Sequence, residues 1–587
     1  MQNTRRSTIF LFAIGLVLAV TIARADDLDV RKWLPSSTVI YLEGKSLESV
    51  LEHPITRTIQ SSSAYKKILR LPDVMKLRGG LTLFEFAVGD KVDALAKKLT
   101  ARGFHLAVDK KTEGAVLLAR TESQEWIEEY LQTLVILARA DASSKNLPDP
   151  IREAEYRGIR GYEFQKIVFG NIGSIAIVTN KPELGRSIID RHLDSTNDHL
   201  LSHPLFEGAW LSNGQPERVG VETLFAKVFV DLATLRQAGV AKELLGNKAK
   251  DFAAELILGG VLASLQKTSY ALGELSVGEN KISFQFRVPY QIKWTEDARE
   301  FFVGSQGHGY ATTLAAGSGL LASLNTYRNL SQLWLRAGDL FDEKVNDQLS
   351  QAENTLTTLF SGKDFGADIL GAIEPQFQLI AAEQSFEPGN APAIQLPSFG
   401  LVAKLKNPSI RREFKRIFQS FIGFLNVTSA MGGNPQLDLE SESVEQKQIY
   451  SASFIRESDK KYENGLPIQF NFSPTLAFDG DLIFVASTIS LAKQLKPQMS
   501  QRIEDDSSAM NNTTVNINFA ALKNILELNR MQLISQNMLE KGHSRLEAEK
   551  EIDTLVSLIS LLRSGTAALR FDDHVQLQLD LEINTDR

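Results

Sequence analysis

Hydrophobic positions along this chain change period at short intervals. In LPSSTVIYLEGKSLESVLEHP (residues 34–54), Val39, Ile40, Tyr41 and Leu42 form a β-branched and aromatic run entered from a Pro-Ser-Ser turn, which predicts a buried strand. Glu43-Gly44-Lys45 ends the run. Leu47, Val50 and Leu51 then recur at helical spacing, so the segment reads as a strand-to-helix corner.

The same form recurs in KVFVDLATLRQAGV from Lys227, LLASLNTYRNLSQL from Leu320 and VNINFAALKNIL from Val515. In each, a polar residue closes the strand (Glu43, Asp231, Asn325, Asn518) and a leucine follows on the helix. Asp and Asn suit the helix entry because their side chains accept a hydrogen bond from an otherwise orphaned helix N–H. A second set of corners starts at Ala115, Ser174, Leu401 and Leu482, with Asn407-Pro408 as an N-cap and first-turn proline. Between the corners lie predicted hairpins: FHLAVD with AVLLA, EYRGIRGYEFQ with SIAIV, and ALGELSV with ISFQFRV.

Taken in order, these elements occur twice. The last hairpin, TAALRF with HVQLQLDLEI, closes the second series as ALGELSV with ISFQFRV closes the first. The reading is an α+β chain of two tandem, diverged copies, each a mainly antiparallel sheet covered by helices. Residues 26–294 form the first copy, 295–318 a glycine-rich junction and 319–587 the second. The second copy adds a helical tract after Ser331, a proline-rich loop at 386–397 and an acidic loop at 437–445.

At 587 residues the chain exceeds what one hydrophobic core organises, which agrees with two domains. Residues 1–25 read as a signal peptide: Arg5 and Arg6 precede an apolar stretch, and Ala23-Arg24-Ala25 is a small-x-small cleavage site. Export to the periplasm or the medium through the secretory route is expected, with no membrane span after cleavage. Loss of Arg5, Arg6 and Arg24 moves the formal charge from −7 to −10. That balance argues against nucleic acid, whose binding needs basic patches to neutralise phosphates. The chain has no cysteine, so disulfides, thiolate zinc sites and thiol nucleophiles are excluded.

Few stretches offer chemistry. DRHLDSTNDHLLSH (190–203) holds three histidines. On a helix His199 and His203 would share one face, with Asp198, Asp194 or His192 as a third metal ligand. The competing reading is an exposed helix end and turn, since Pro204 follows and no H-E-x-x-H pattern is present. His105 is expected to point outward as a plain polar residue, with Gln378 as its counterpart in the second copy. Glu128-Glu129 and Asp505-Asp506 read as solvated acids. The run Arg411, Arg412, Lys415, Arg416 reads as the polar side of an amphipathic helix. Trp126, Trp210 and Trp334 are expected in cores. No dinucleotide fingerprint, phosphate loop or nucleophile elbow occurs, so no cofactor and no catalytic residue is assigned.

LPSSTVIYLEG after the signal, EYRGIRGYEF followed by GSIAIVTNKPEL, and VFVDLATL resemble an uncharacterised family of exported bacterial proteins, a domain of unknown function. The resemblance covers most of 34–290 and, more faintly, the second copy. It implies an exported, repetitive α+β protein without assigned chemistry. The leading functional expectation is a non-enzymatic binding or scaffold protein with an unknown envelope or extracellular partner. The alternative is a protein that takes an apolar small molecule or lipid in a cleft between the halves, and a hydrolase using dispersed carboxylates ranks third.

Overall fold

In the computed structural model, the strand expected at Val39 runs over Thr38–Gly44 (β1), and nine more follow it: Phe104–Asp109 (β2), Gly114–Arg120 (β3), Ile151–Tyr156 (β4), Ile159–Phe164 (β5), Ile167–Ile172 (β6), Ile175–Thr179 (β7), Thr223–Asp231 (β8), Tyr270–Val277 (β9) and Lys281–Pro289 (β10). The structure describes residues 29–585 other than 71–73, 76–77, 79–80, 83–84, 86–87, 212–222, 241–248, 361, 388, 457–464 and 499–510. Residues 1–25, read above as a signal peptide, and Asp505-Asp506 fall outside the described residues. The chain divides into two compact units, Met1–Ala241 with Thr268–Val288 and Thr585–Arg587, and Lys242–Lys267 with Pro289–Asn584.

In the first unit the strands lie in the order β4-β5-β6-β7-β3-β2-β1-β8-β9-β10, every pair antiparallel. The segment expected as one strand around EYRGIRGYEF turns back on itself at Arg157 and Gly158, whose φ angles are 50° and 82°. Two successive positive φ values define a type I′ turn, whose twist suits a tight hairpin. The result is a four-stranded meander, β4 to β7.

The second unit contains Leu320–Tyr327 (β11), Ile373–Ala382 (β12), Ser398–Leu405 (β13), Leu437–Val444 (β14), Lys447–Phe454 (β15), Thr475–Asp479 (β16), Leu482–Ala486 (β17), Thr513–Asn518 (β18), Leu562–Phe571 (β19) and His574–Ile583 (β20). Their order is β14-β15-β16-β17-β13-β12-β11-β18-β19-β20, again antiparallel throughout. This is the order of the first unit strand for strand. The α+β class with mainly antiparallel sheets is therefore the architecture of both units. The acidic stretch expected as a loop at 437–445 is instead the edge strand β14, where a row of charges discourages pairing with another chain.

Each sheet carries a core on both faces. On the front of the first, Tyr41, Leu118, Ile177, Phe229 and Leu272 pack under the helix Pro182–Asp194 through Leu184 and Ile188. On its back, Phe104, Ala119 and Ala176 pack under the helix Gln124–Ser144 (α1) through Ile127, Leu131 and Val135. In the second unit Ile380, Val402 and Phe484 form the front core and Phe377, Ala403 and Ile483 the back core. The back is covered by the helix Arg411–Met431 (α2) and by Phe519–Leu528 (α3), which packs on β11 and β19. The two covering helices α1 and α2 are both 21 residues long. Each sets core residues at the same four places, Ile127, Leu131, Val135 and Ala138 in one and Phe414, Phe418, Ile422 and Leu425 in the other.

The corner chemistry divides. Asp231 accepts from Thr234 N at 2.9 Å and Asn518 from Ala521 N at 3.1 Å, so both cap helices as expected. Glu43 and Asn325 do not. They stay in their strands, cross-paired with His105 and Gln378, and in the second unit Asn329 caps the helix instead. Residues 295–318, read as a junction, pack into the second unit: Phe301, Phe302 and Val303 are buried, and Arg299 makes a buried ion pair with Glu255 at 2.8 Å.

Candidate functional site

The histidine-rich stretch folds as a helix end and a turn. Pro182–Asp194 ends at Ser195, which adopts the left-handed conformation (φ 50°), and a single 3-10 turn, Leu200–Ser202, follows His199. His199 and His203 flank that turn, so they do not share a helical face. His203 is buried and turned to Asp231, with Nε2 to Oδ2 at 3.3 Å, while its Nδ1 accepts from Leu205 N at 3.2 Å. Burial alone would raise the Asp231 carboxyl, but hydrogen bonds from His203 and Thr234 outweigh it and hold its pKa below the usual range. Asp198 is exposed and bonded to Ser36 and to Arg191, whose guanidinium lies 2.6 Å away. His203 and Asp198 are thus each engaged by other partners. Among the described residues no group of three or more His, Asp or Glu side chains is placed to hold a metal ion.

His105 corrects the sequence reading. It is buried on the front face, with Nδ1 2.8 Å from Tyr41 Oη, and the same hydroxyl lies 3.2 Å from Glu43 Oε2. Burial, helped by Arg120 and Arg31, pushes the imidazole pKa down to about 3, so it is neutral. Its strand sits against covering residues rather than solvent, which alternation within β2 could not reveal. Gln378 holds the equivalent register position, and it too is buried, bonding Leu314 N, Ala315 N and Ala315 O. From Glu43 a ladder of charge crosses the front of the first sheet: Lys227 is its cross-strand neighbour and lies 3.2 Å from Glu274, which pairs with Arg287 at 3.3 Å. In the second sheet these positions are Asn325, Thr514, Ala568 and Asp580, so the alternation of opposite charges belongs to the first unit alone.

Trp210 is buried in the front core, stacked on Phe206, and the Lys227 ammonium lies 4.6 Å from its ring. Trp126 and Trp334 are half-buried. A polar cleft of about 470 Å³ in the second unit is lined by Glu300, Tyr327, Asn329, Gln332, Arg336 and Lys406. Its donors are engaged locally, Lys406 on Gly371 O at 2.9 Å and Arg336 on Asp339 at 3.2 Å. Nearby, Arg328 is fully buried against the Phe302 ring at 3.4 Å. It donates to Leu256 O at 2.6 Å and Asn512 Oδ1 at 2.7 Å, which neutral acceptors make a tie between segments rather than a binding group.

The feature common to both units is on the back faces. Following the cross-strand partners gives one row in the first sheet, Tyr162, Phe169, Val178, Leu117, Leu106, Leu42 and Val228. The matching row in the second is Tyr450, Leu476, Val485, Leu401, Leu379, Leu324 and Val515. Only the second position differs, Phe169 against Leu476. The rows run under α1 and α2 at their tyrosine ends and emerge beyond them. There Leu106 is 37% exposed and its counterpart Leu379 is 43% exposed. Sequence reasoning missed this row because its members come from seven strands and only pairing register brings them into line.

The chain is thus a mixed α+β protein of two units with the same strand order, and among its described residues no helix is long and apolar enough to cross a membrane. No protein-family model matches the chain, and no curated protein does. Among solved structures it is similar to TP0453. Crystal form III has a TM-score of 0.23 and 12% identity over 46% of this chain and 81% of that one. Crystal form I has a TM-score of 0.24 and 14% identity over 46% and 80%.

Proposed function

We propose that this chain is an exported, non-enzymatic binding protein, formed by tandem duplication of one sheet unit, that holds an apolar partner against the back faces of its sheets. The observation that carries the proposal is the repeated row, which keeps leucine at the open positions Leu106 and Leu379. Covering the part of each leucine that still faces water would add about 1 kcal/mol to binding, a gain its own sheet leaves unused. The interior titratable groups support a reading without catalysis, because His105, His203, Glu255 and Arg328 are each occupied by a structural partner. The signal-like residues 1–25 support export.

Two measurements test this. Nile red titrated into the native protein should gain fluorescence, and Leu106→Asp with Leu379→Asp should remove that gain while the protein still melts cooperatively. Dye binding that survives both substitutions overturns the sites. N-terminal sequencing of protein from the periplasm or medium should begin at Asp26, and an uncleaved cytoplasmic chain overturns export.

A further inference from the structure

The covering helices α1 and α2 are alike on the side that meets the sheet and unlike on the side that meets water. Toward the sheet, Ile127, Leu131, Val135 and Ala138 of α1 match Phe414, Phe418, Ile422 and Leu425 of α2 place for place. A helix turns about 100° per residue, so a residue two places from one of these lies about 160° round and faces away from the sheet. In α1 such places hold Glu125, Glu129, Ile136 and Ala140, and in α2 they hold Arg412, Arg416, Gly423 and Val427. All eight are exposed, Ile136 by 65% and Val427 by 61%.

These two faces complement each other in charge and in size. Acid on α1 stands where α2 carries base, Glu125 against Arg412 and Glu129 against Arg416. Ile136 corresponds to Gly423, where a Cβ would meet nothing within 4 Å beyond its own stretch of helix. One turn on, the relation reverses, with a small Ala140 against a larger Val427. Between the charged and the apolar pairs, exposed Gln132 and Gln419 hold the same place, two amides that can bond each other. Such a match is what two helices need to pack parallel and in register, with equivalent residues meeting. An antiparallel pairing sets the acids of α1 against the apolar end of α2, and pairing like helices opposes like charges.

The charges are available for this. Among the described residues Glu125 and Glu129 have no lysine or arginine within ion-pair distance, and Arg412 has no carboxylate. Arg416 meets Glu413 at 2.5 Å, a partly exposed pair that water keeps weak. The other two cations of α2 are turned toward the sheet, Arg411 over the Phe478 ring and Lys415 over the Tyr450 ring.

We propose that the outward face of α2 is a docking site for a second copy of this chain, which seats the outward face of its own α1 there, parallel and in register. Opposite charge selects which helices meet, and Ile136 in the Gly423 notch sets the register. Each chain carries one face of each kind, so the contact is heterologous: it makes a closed pair or ring where the rotation closes and an open row where it does not. Helices of 21 residues are about 30 Å long, a contact at the small end of specific interfaces, so association belongs at micromolar concentrations and above. The inference stands apart from the binding function proposed above, because Leu106 and Leu379 take no part in it.

The test is sedimentation velocity of the full mature chain at rising concentration, where association that weakens in high salt is expected. Glu125→Arg with Glu129→Arg makes both faces basic, and Arg412→Glu with Arg416→Glu makes both acidic. Either variant alone should associate at least about tenfold more weakly. An equimolar mixture of the two should associate again, since each supplies the charge the other lacks, and that recovery shows both to be folded. Gly423→Leu fills the notch while improving helix propensity, so it should weaken association without lowering the melting temperature. Because the chain has no cysteine, a mixture of Ile136→Cys and Gly423→Cys chains should form a disulfide between copies far faster than either variant alone. A chain that stays monomeric throughout, charge variants that associate as the native chain does, or a mixture that fails to regain association overturns the proposal. So does a monomer that sediments with phosphatidylglycerol vesicles, which would assign Arg412, Arg416 and Val427 to a membrane surface.

Discussion

Leu106 and Leu379 stand at the same register position in the strand sets of the two units, each with a leucine on either side, Leu42 and Leu117 for the first and Leu324 and Leu401 for the second. Both are open to water, at 37% and 43% exposure. One exposed leucine is ordinary on a protein surface, but the same exposed triplet in two sheets points to a role outside folding.

That relationship separates stability from binding. Leu118 lies beside His105 and is fully buried in the front core, so Leu118→Ala should cost about 2–5 kcal/mol. Leu106→Ser, one residue further along β2, should cost only about 1 kcal/mol, since part of the side chain already faces water. Urea denaturation of both variants checks the contrast, and equal losses would mean that Leu106 is covered.

His105 predicts an acid limb. The unfolded imidazole protonates near 6.5, while the folded one resists to about 3 because it is buried beside Tyr41. Between those values the unfolded state binds the extra proton, so stability falls as pH drops, with a slope of about 1.4 kcal/mol per pH unit. His105→Gln, the residue of the matching position, should flatten the dependence of unfolding free energy on pH across this window. By NMR the His105 ring should show no titration above about pH 4.

Arg328→Leu should cost about 3–5 kcal/mol, because it strips the donor from buried Asn512 Oδ1, Thr513 Oγ1 and the carbonyl oxygens of Leu256 and Ile257. Arg328→Lys should recover only part of that, since an ammonium cannot reach the planar set of acceptors. Thermal melting ranks the three proteins, and a lysine variant as stable as the native chain would show that one contact suffices.

The pair Glu255–Arg299 is almost wholly buried, its side chains 1% and 5% exposed. Glu255→Gln removes the buried counter-charge and leaves the guanidinium only the exposed Glu296 carboxylate at 3.6 Å, which should cost about 3 kcal/mol. Replacing both by Met should recover most of the loss, which a double-mutant comparison in urea measures.

Much of this architecture was legible along the chain. The shift from period two to helical spacing placed β1, β3, β7 and their partners, and Asp231 and Asn518 marked helix starts because capping is a local hydrogen bond. Glu43 and Asn325 misled because strand length is decided by pairing with β2 and β12, which lie far away in sequence. The acidic stretch at β14 resembled a loop because an edge strand meets no hydrophobic demand on most of its positions.

By itself the sequence determined which segments could be strands or helices, and the order in which they recur, because backbone propensity and hydrophobic period act over a few residues. Only the tertiary structure decided which side of each strand is covered. His105 and Leu106 are neighbours on β2, yet the histidine is enclosed and the leucine is open. Alternation puts them on opposite faces, but which face is closed at that point depends on where helices formed elsewhere in the chain settle across the sheet.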